Sequence, residues 1–326
     1  MQTRSFGAMD DVPALTLGGG GLGQVWGKTD RAEAVATVVE ALSSGITLFD
    51  LAPMYGRGEA ESVVGEAFAG ILPAGVRVTT KCFLGNPAGA DVEPKIRRRL
   101  GRSLDLLKLT KVDLLILHSN VVPDAYIAAD PEVRGVRMTA WSTYVNYVIP
   151  TFEKLQQEGL IGAWGITGIG LPETVKRAVA YEHKPALIQA IANCLDSPGD
   201  LQFFQEDPEP RALIAAAAAA GVGVMGIRAV QAGALSDGFD RQMQPGKDVA
   251  DFERAAGFRE LALQWQTTPA ALAHRYALSM QDIATVVLGV KNRTELRECL
   301  AMEALPRLTA NEMTKVREAC GLPGLN

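Results

Sequence analysis

Short, almost continuously apolar runs alternate along this chain with longer stretches whose apolar residues return every third or fourth position. Leu114-Leu115-Ile116-Leu117 and Thr285-Val286-Val287-Leu288 have no polar face, the pattern of parallel strands covered by helices. Gly45 to Asp50 is a β-branched and aromatic run opened by a glycine and closed by a carboxylate. Ahead of that run, Ala32, Val35, Val39 and Leu42 predict one apolar helix face, and Asp30 with Glu33 fits a capping box at its start.

Taken in order, the spacing predicts strands over Ala14 to Leu17, Ile46 to Asp50, Val76 to Lys81 and Val112 to His118, then Ile161 to Thr167, Ala186 to Ile191, Val222 to Ile227 and Ala284 to Leu288. The helices between them start at Asp30 and Glu59, then run over Asp91 to Lys108, Trp141 to Glu158, Pro172 to Tyr181, Arg211 to Ala220, near Asp251 to Leu263, and Thr294 to Ala301. Eight strand–helix units match the count and size of a (β/α)8 TIM barrel, with a doubly wound open sheet as the competing α/β fold. No linker or composition break divides residues 1–326, so the chain reads as a single barrel domain. Ser119 to Ala140, Asn193 to Glu206 and Ala229 to Ala250, after strands 4, 6 and 7, exceed ordinary connections; in a barrel they rise on the catalytic face and are expected to wall a pocket.

Composition narrows the partners. Hydrophobic residues at 48% supply a sizeable core, and 37 acidic against 32 basic residues, without a basic block, argue against nucleic acid or an anionic membrane surface. Met1 to Asp11 has no apolar stretch of a secretory signal, and the Ala- and Gly-rich run Leu213 to Ile227 is too short to span a bilayer, so a cytoplasmic location is expected. Cys82, Cys194, Cys299 and Cys320 lack metal-ligand spacing and read as free thiols; no metal site is expected.

The last residues of the strands carry the chemistry. The second ends in Asp50, the third in Lys81 and the fourth in His118, while the sixth carries Gln189. Alone, a carboxylate at a strand end is a soluble residue before a loop. A carboxylate, an ammonium and an imidazole on adjacent strand ends, beside an apolar core, are costly unless they pair, so the three are expected to converge. Pro53 and Gly56 turn the chain after Asp50 and present Tyr55.

Phe49-Asp50-Leu51-Ala52-Pro53-Met54-Tyr55-Gly56, Thr80-Lys81 and the apolar strand closed by His118 resemble, in order and spacing, the three blocks of the aldo-keto reductase family; Ala52 to Glu61 is most similar to the branch of aldose and pyridoxal dehydrogenases. The resemblance implies that Tyr55 is the proton donor, that Lys81 and Asp50 modulate it, and that His118 orients the substrate carbonyl. A nearby ammonium favours a phenolate, so Lys81 is expected to lower the Tyr55 pKa. No side chain supplies hydride, so a nicotinamide cofactor is required.

Gly18-Gly19-Gly20-Gly21-Leu22-Gly23 formally satisfies a dinucleotide fingerprint, but adjacent glycines satisfy almost any spacing. A tight turn in which Gly21 and Leu22 bring backbone to the nicotinamide or substrate is the preferred reading. The resemblance places further cofactor contacts, besides Asp50, at Thr167, Gln189, Ile227, Arg228, Gly289, Lys291, Arg293 and Glu298. Thr167-Gly168 replaces the Ser-Asn of many relatives, and Ile227 stands where a tyrosine often stacks on the nicotinamide. Lys291 and Arg293, at a helix start, predict a cationic clamp for a 2′-phosphate, favouring NADP(H) over NAD(H), although Glu295 would oppose it. Trp26, Tyr126 and Trp141 are the candidate pocket walls, beside Tyr55 and His118.

The expected activity is interconversion of an alcohol and an aldehyde, ketone or sugar hemiacetal, by a monomer or small homo-oligomer. The alternatives are a nicotinamide-binding regulatory subunit like the potassium-channel β-subunits, and an unrelated barrel isomerase or lyase.

Overall fold

In the computed structural model, which describes residues 1–128 and 131–324, all eight apolar runs become strands: Leu15–Gly18, Leu48–Asp50, Arg77–Cys82, Val112–Leu117, Ile161–Thr167, Leu187–Ile191, Gly223–Ile227 and Thr285–Leu288. Each pairs in parallel with its neighbours, and the eighth returns to the first through Val286 opposite Leu15, so the sheet closes into a barrel. Closure excludes the open sheet, which would leave two edges.

Helices cover the barrel. In Gly89–Leu107 the buried positions are Val92, Ile96, Leu100, Ser103 and Leu107, a stripe at helical spacing that packs on the strands. The helix Arg31–Ser43 corrects the expected face: Ala34, Thr37, Val38 and Ala41 are buried, whereas Ala32 and Val39 are exposed and Val35 and Leu42 lie at the boundary. The buried stripe is therefore built mainly of small residues and is not the bulkiest one. Its cap is half of the expected box. Asp30 accepts from the Glu33 N–H at 2.8 Å, but the Glu33 carboxylate turns to Arg293 of the helix Arg293–Ala304.

Other elements were not legible in the pattern. Thr3–Phe6 and Met9–Pro13 form an antiparallel hairpin whose Phe6 joins Leu48, Leu114, Ile116, Leu187 and Met225 in an apolar cluster inside the barrel. The region near Asp251 to Leu263 holds two helices, Lys247–Arg254 and Ala256–Gln264, and two more follow at Pro269–Ser279 and Ala310–Ala319. The long connection after the fourth strand contains a short parallel pair, Asn120–Val122 with Met138–Ala140, and the helix Pro131–Arg137; its residues 129–130 lie outside the described residues. No helix among the described residues is long and apolar enough to cross a membrane.

Candidate active site

Successive side chains on a strand point to opposite sides. Leu48, Ile116 and Leu187 belong to the cluster inside the barrel, so the residues two positions on, Asp50, His118 and Gln189, emerge at its carboxyl-terminal mouth. Lys81 follows Thr79 in the same phase, and Thr79 is the register partner of Asp50. The His118 N–H donates to the Cys82 carbonyl at 2.8 Å, which extends the ladder one residue past the strand.

Tyr55 arrives by a turn, its N–H donating to the Ala52 carbonyl at 3.0 Å. Gly56 has φ of +65°, and a Cβ there would lie 2.6 Å from the Gly23 carbonyl oxygen, so the turn closes against the first connection only with glycine.

At the centre, the Lys81 Nζ donates to Asp50 Oδ2 at 2.8 Å, to the Leu51 carbonyl at 3.0 Å and to the Tyr55 hydroxyl at 3.2 Å. An ammonium has three protons, and all are used. Asp50 Oδ1 accepts from Thr79 Oγ1 at 2.7 Å and from Gln189 Nε2 at 2.8 Å. The ion pair is buried, and it tolerates burial because the ammonium is saturated and both carboxylate oxygens are hydrogen-bonded.

Burial by itself would lower the Lys81 pKa, but the charges of Asp50 and Tyr55 and their hydrogen bonds hold it above its ordinary value. For Tyr55 the expected direction is reversed. Burial raises its pKa by more than the Lys81 charge lowers it, so the hydroxyl keeps its proton at neutral pH. His118 is depressed well below the usual imidazole range by burial, then by Lys81 and Arg137, and is therefore neutral. The Tyr55 and His118 rings meet edge to face with centroids 6.4 Å apart, and Phe83 stacks on His118 at 4.3 Å.

A cavity of about 550 Å³ opens over these groups, its lining running from Phe83, Arg137 and Phe203 to Trp26, Lys291 and Glu298. All three long connections contribute: Asn120 and Arg137 from the first, Leu201 and Phe203 from the second, Ser236 and Arg241 from the third. Thr167, Gln189, Ile227, Arg228 and Gly289 also line it. Thr167 Oγ1 accepts from the Ile169 N–H at 3.2 Å and keeps its own proton to donate; Gln189 spends an N–H on Asp50 and keeps its amide oxygen. Together they offer a ligand carboxamide one donor and one acceptor.

Several expected site residues are placed elsewhere. Gly21 and Leu22 do not line the cavity; Gly18 and Gly20 do. A Cβ on Gly21 would sit 1.9 Å from the Val290 carbonyl oxygen, so that glycine serves contact between the first and eighth connections, and Leu22 is core. Trp141 is buried against Tyr144 and Tyr181 with Arg177 stacked 3.8 Å over its ring, and Tyr126 packs on Phe204; neither is a wall. Arg293 lies outside the lining, bonded to Glu33 at 2.8 Å. Lys291 does line the cavity, but it pairs with Asp240 at 2.5 Å and Glu295 at 2.6 Å, so the expected clamp of two free cations is absent. Arg228 is likewise held, by Asp248 at 2.5 Å.

Thr79, Met54, Phe83 and Arg137 were not anticipated. Thr79 was legible, being two positions before Lys81 on the inward face of its strand. Phe83 and Arg137 sit in connections whose course no periodicity describes.

The chain resembles known proteins along most of its length. It is 26% identical over 294 residues to L-galactose dehydrogenase of Arabidopsis thaliana, covering 89% of this chain and 84% of that one. Over 193 residues, 52% of this chain and 53% of the other, it is 28% identical to D-threo-aldose 1-dehydrogenase of a Pseudomonas species. An aldo-keto reductase from Bacillus halodurans in its holo form superposes with a TM-score of 0.72 over 98% of this chain and 96% of that one; at 23% identity it speaks for the fold alone. Residues 14–320 match the model of the aldo/keto reductase family, and the chain belongs to that family.

Proposed function

We propose that this protein is a nicotinamide-dinucleotide-dependent oxidoreductase that interconverts an alcohol with an aldehyde, ketone or sugar hemiacetal, with Tyr55 as general acid and base. The observation that carries the reading is the saturated Lys81 ammonium, which bridges Asp50 and the Tyr55 hydroxyl at the floor of the cavity. The names of the sugar dehydrogenases among its relatives support a hemiacetal in the substrate range. When bound, the cofactor supplies or takes the hydride that no side chain carries.

The rest is the work of the chain. In reduction, the Tyr55 hydroxyl, protonated because it is buried, gives its proton to the carbonyl oxygen as negative charge develops there. Lys81 stays charged and stabilises the tyrosinate left behind, while Asp50 fixes the ammonium in place. Neutral His118 donates an N–H to the same oxygen. In oxidation the proton moves the other way, from the substrate hydroxyl to a Tyr55 that has first released its own proton, and Lys81 stabilises that tyrosinate. Thr167 and Gln189 would hold the carboxamide, with Gly18, Gly20 and Gly289 allowing close approach.

NAD(H) is the cofactor that the charges favour. Lys291 is shared by Asp240 and Glu295, Arg293 is held by Glu33, and Glu298 adds another carboxylate to the lining, so a 2′-phosphate meets more negative than free positive charge. This reverses the preference expected for NADP(H).

Tyr55→Phe tests the assignment. It is expected to lower kcat by about 100- to 10,000-fold, the usual contribution of a positioned acid, while a fluorescence titration with NADH is unaltered. Near-normal turnover by the variant would sink the mechanism.

A further inference from the structure

Most cations that line the cavity are already engaged. Lys291 pairs with Asp240 and Glu295, Arg228 with Asp248, and Arg241 donates to the Ala232 carbonyl at 2.9 Å. Arg137 differs: among the described residues its guanidinium has no carboxylate partner and no hydrogen bond, only the ring faces of Phe83, at 5.4 Å, and Phe203, at 4.9 Å.

The backbone beneath it is anchored. Arg137 ends the helix Pro131–Arg137, and the next residues, Met138–Ala140, pair with Asn120–Val122. Thr139 donates its hydroxyl to the Gly85 carbonyl at 2.7 Å, and Asn86 Oδ1 accepts the Ala140 N–H at 3.0 Å. Phe83 joins the two ends of this part of the cavity, stacking on His118 at 4.3 Å and carrying the guanidinium on its ring. The surroundings are otherwise mainly apolar, with Met54, Ile169 and Leu201 beside the two phenylalanines.

A half-buried guanidinium held by aromatic faces has its N–H fork free and part of its hydration lost, an arrangement that a planar anion completes. We infer that Arg137 is a substrate-specificity residue that binds a carboxylate, so that the preferred substrate is a carbonyl compound carrying a carboxylate a short carbon chain away from the carbonyl. The inference rests on the proposed carbonyl chemistry: His118 marks the carbonyl end, Arg137 the carboxylate end, and the apolar wall between them faces the carbon chain. A single guanidinium matches a carboxylate in charge and in its two-point geometry, whereas it compensates only part of a phosphate dianion.

The test compares 4-oxobutanoate with butanal, aldehydes of equal chain length, using NADH and the wild-type, Arg137→Ala and Arg137→Lys proteins. Wild type is expected to favour the acid, and the ratio of kcat/KM for acid over butanal to fall by about 10- to 100-fold in Arg137→Ala, the range of a lost charge-assisted hydrogen bond. The fall lies mostly in KM, and Arg137→Lys recovers part of it. An unchanged ratio, or a wild type indifferent to the carboxylate, overturns the inference. A second arm needs no turnover: butanoate and butyramide are titrated against the NAD-loaded protein by tryptophan fluorescence. Butanoate binding that depends on Arg137, with neither aldehyde reduced, upholds the anion site and refutes the proposed reaction. Reduction of butanal, with butanoate binding wild type and Arg137→Ala alike, does the reverse.

Discussion

Asp50→Asn separates charge compensation from shape at the centre of the site. The carboxylate takes three donors, from Thr79, Gln189 and Lys81. An amide can keep its oxygen toward Lys81, while the Thr79 hydroxyl rotates and the Gln189 amide turns over to accept, so most hydrogen bonds are recoverable. The charge is not. Lys81 is left as a buried ammonium with only the Leu51 carbonyl and the Tyr55 hydroxyl besides the new amide. Breaking a buried pair in this way costs about 3–5 kcal/mol, a large share of the roughly 5–15 kcal/mol that holds a typical domain together. The effect has a pH signature. In the wild type the Lys81 pKa is raised, so its stabilisation is complete below the unfolded pKa of about 10.4 and is lost as pH rises through the folded value. In Asp50→Asn burial dominates and depresses the folded pKa, so the variant is expected to lose more stability at pH 7 than at pH 10. Urea unfolding of the cofactor-free protein at both values measures this. The double variant Asp50→Asn/Lys81→Met, which removes both charges, is expected to be more stable than Asp50→Asn alone. A loss under about 1 kcal/mol at pH 7, or a double variant no better than the single, refutes the claim that Asp50 compensates Lys81.

Other expectations follow from the same structure. Because the folded His118 pKa is depressed, the unfolded chain takes up a proton first as pH falls below about 6.5, and stability drops by up to about 1.4 kcal/mol per pH unit from this residue. His118→Asn is expected to flatten the slope between pH 7 and 5 without abolishing it, since His274 is depressed too; equal slopes in both proteins would contradict the assignment. Gly21→Ala places a methyl group against the Val290 carbonyl and is expected to destabilise by about 1–3 kcal/mol. Gly101→Ala, in a helix interior with nothing within 4 Å of the new methyl, is expected to stabilise by about 0.5–1 kcal/mol. Thermal unfolding of the two variants should move in opposite directions. Glu295→Gln removes one carboxylate from Lys291 and is expected to shift cofactor preference about tenfold toward NADP(H); equal NADH and NADPH titrations before and after would show that this carboxylate does not set it.

The eight strands, their parallel order and the meeting of Asp50, Lys81 and His118 were legible in the chain because they follow from short-range rules. A strand's two-residue alternation carries its last inward side chain to the barrel mouth, and Pro53 and Gly56 turn Tyr55 back toward it. What the sequence left open depends on partners far away along the chain or on how deeply a group is covered. Arg293 looked like a phosphate ligand until the fold brought it to Glu33, 260 residues away, and Lys291 until the third long connection supplied Asp240. The buried stripe of Arg31–Ser43 is Ala34, Thr37, Val38 and Ala41 and not its bulkiest residues. Tyr55 keeps its proton because enclosure outweighs a neighbouring cation, a balance that exists only once the barrel is closed. Residue type and spacing therefore determined which strand-end groups reach the mouth, whereas tertiary packing decided which loop residues join them and which charges stay free there, because Coulomb energy and desolvation depend on distance and burial rather than on order along the chain.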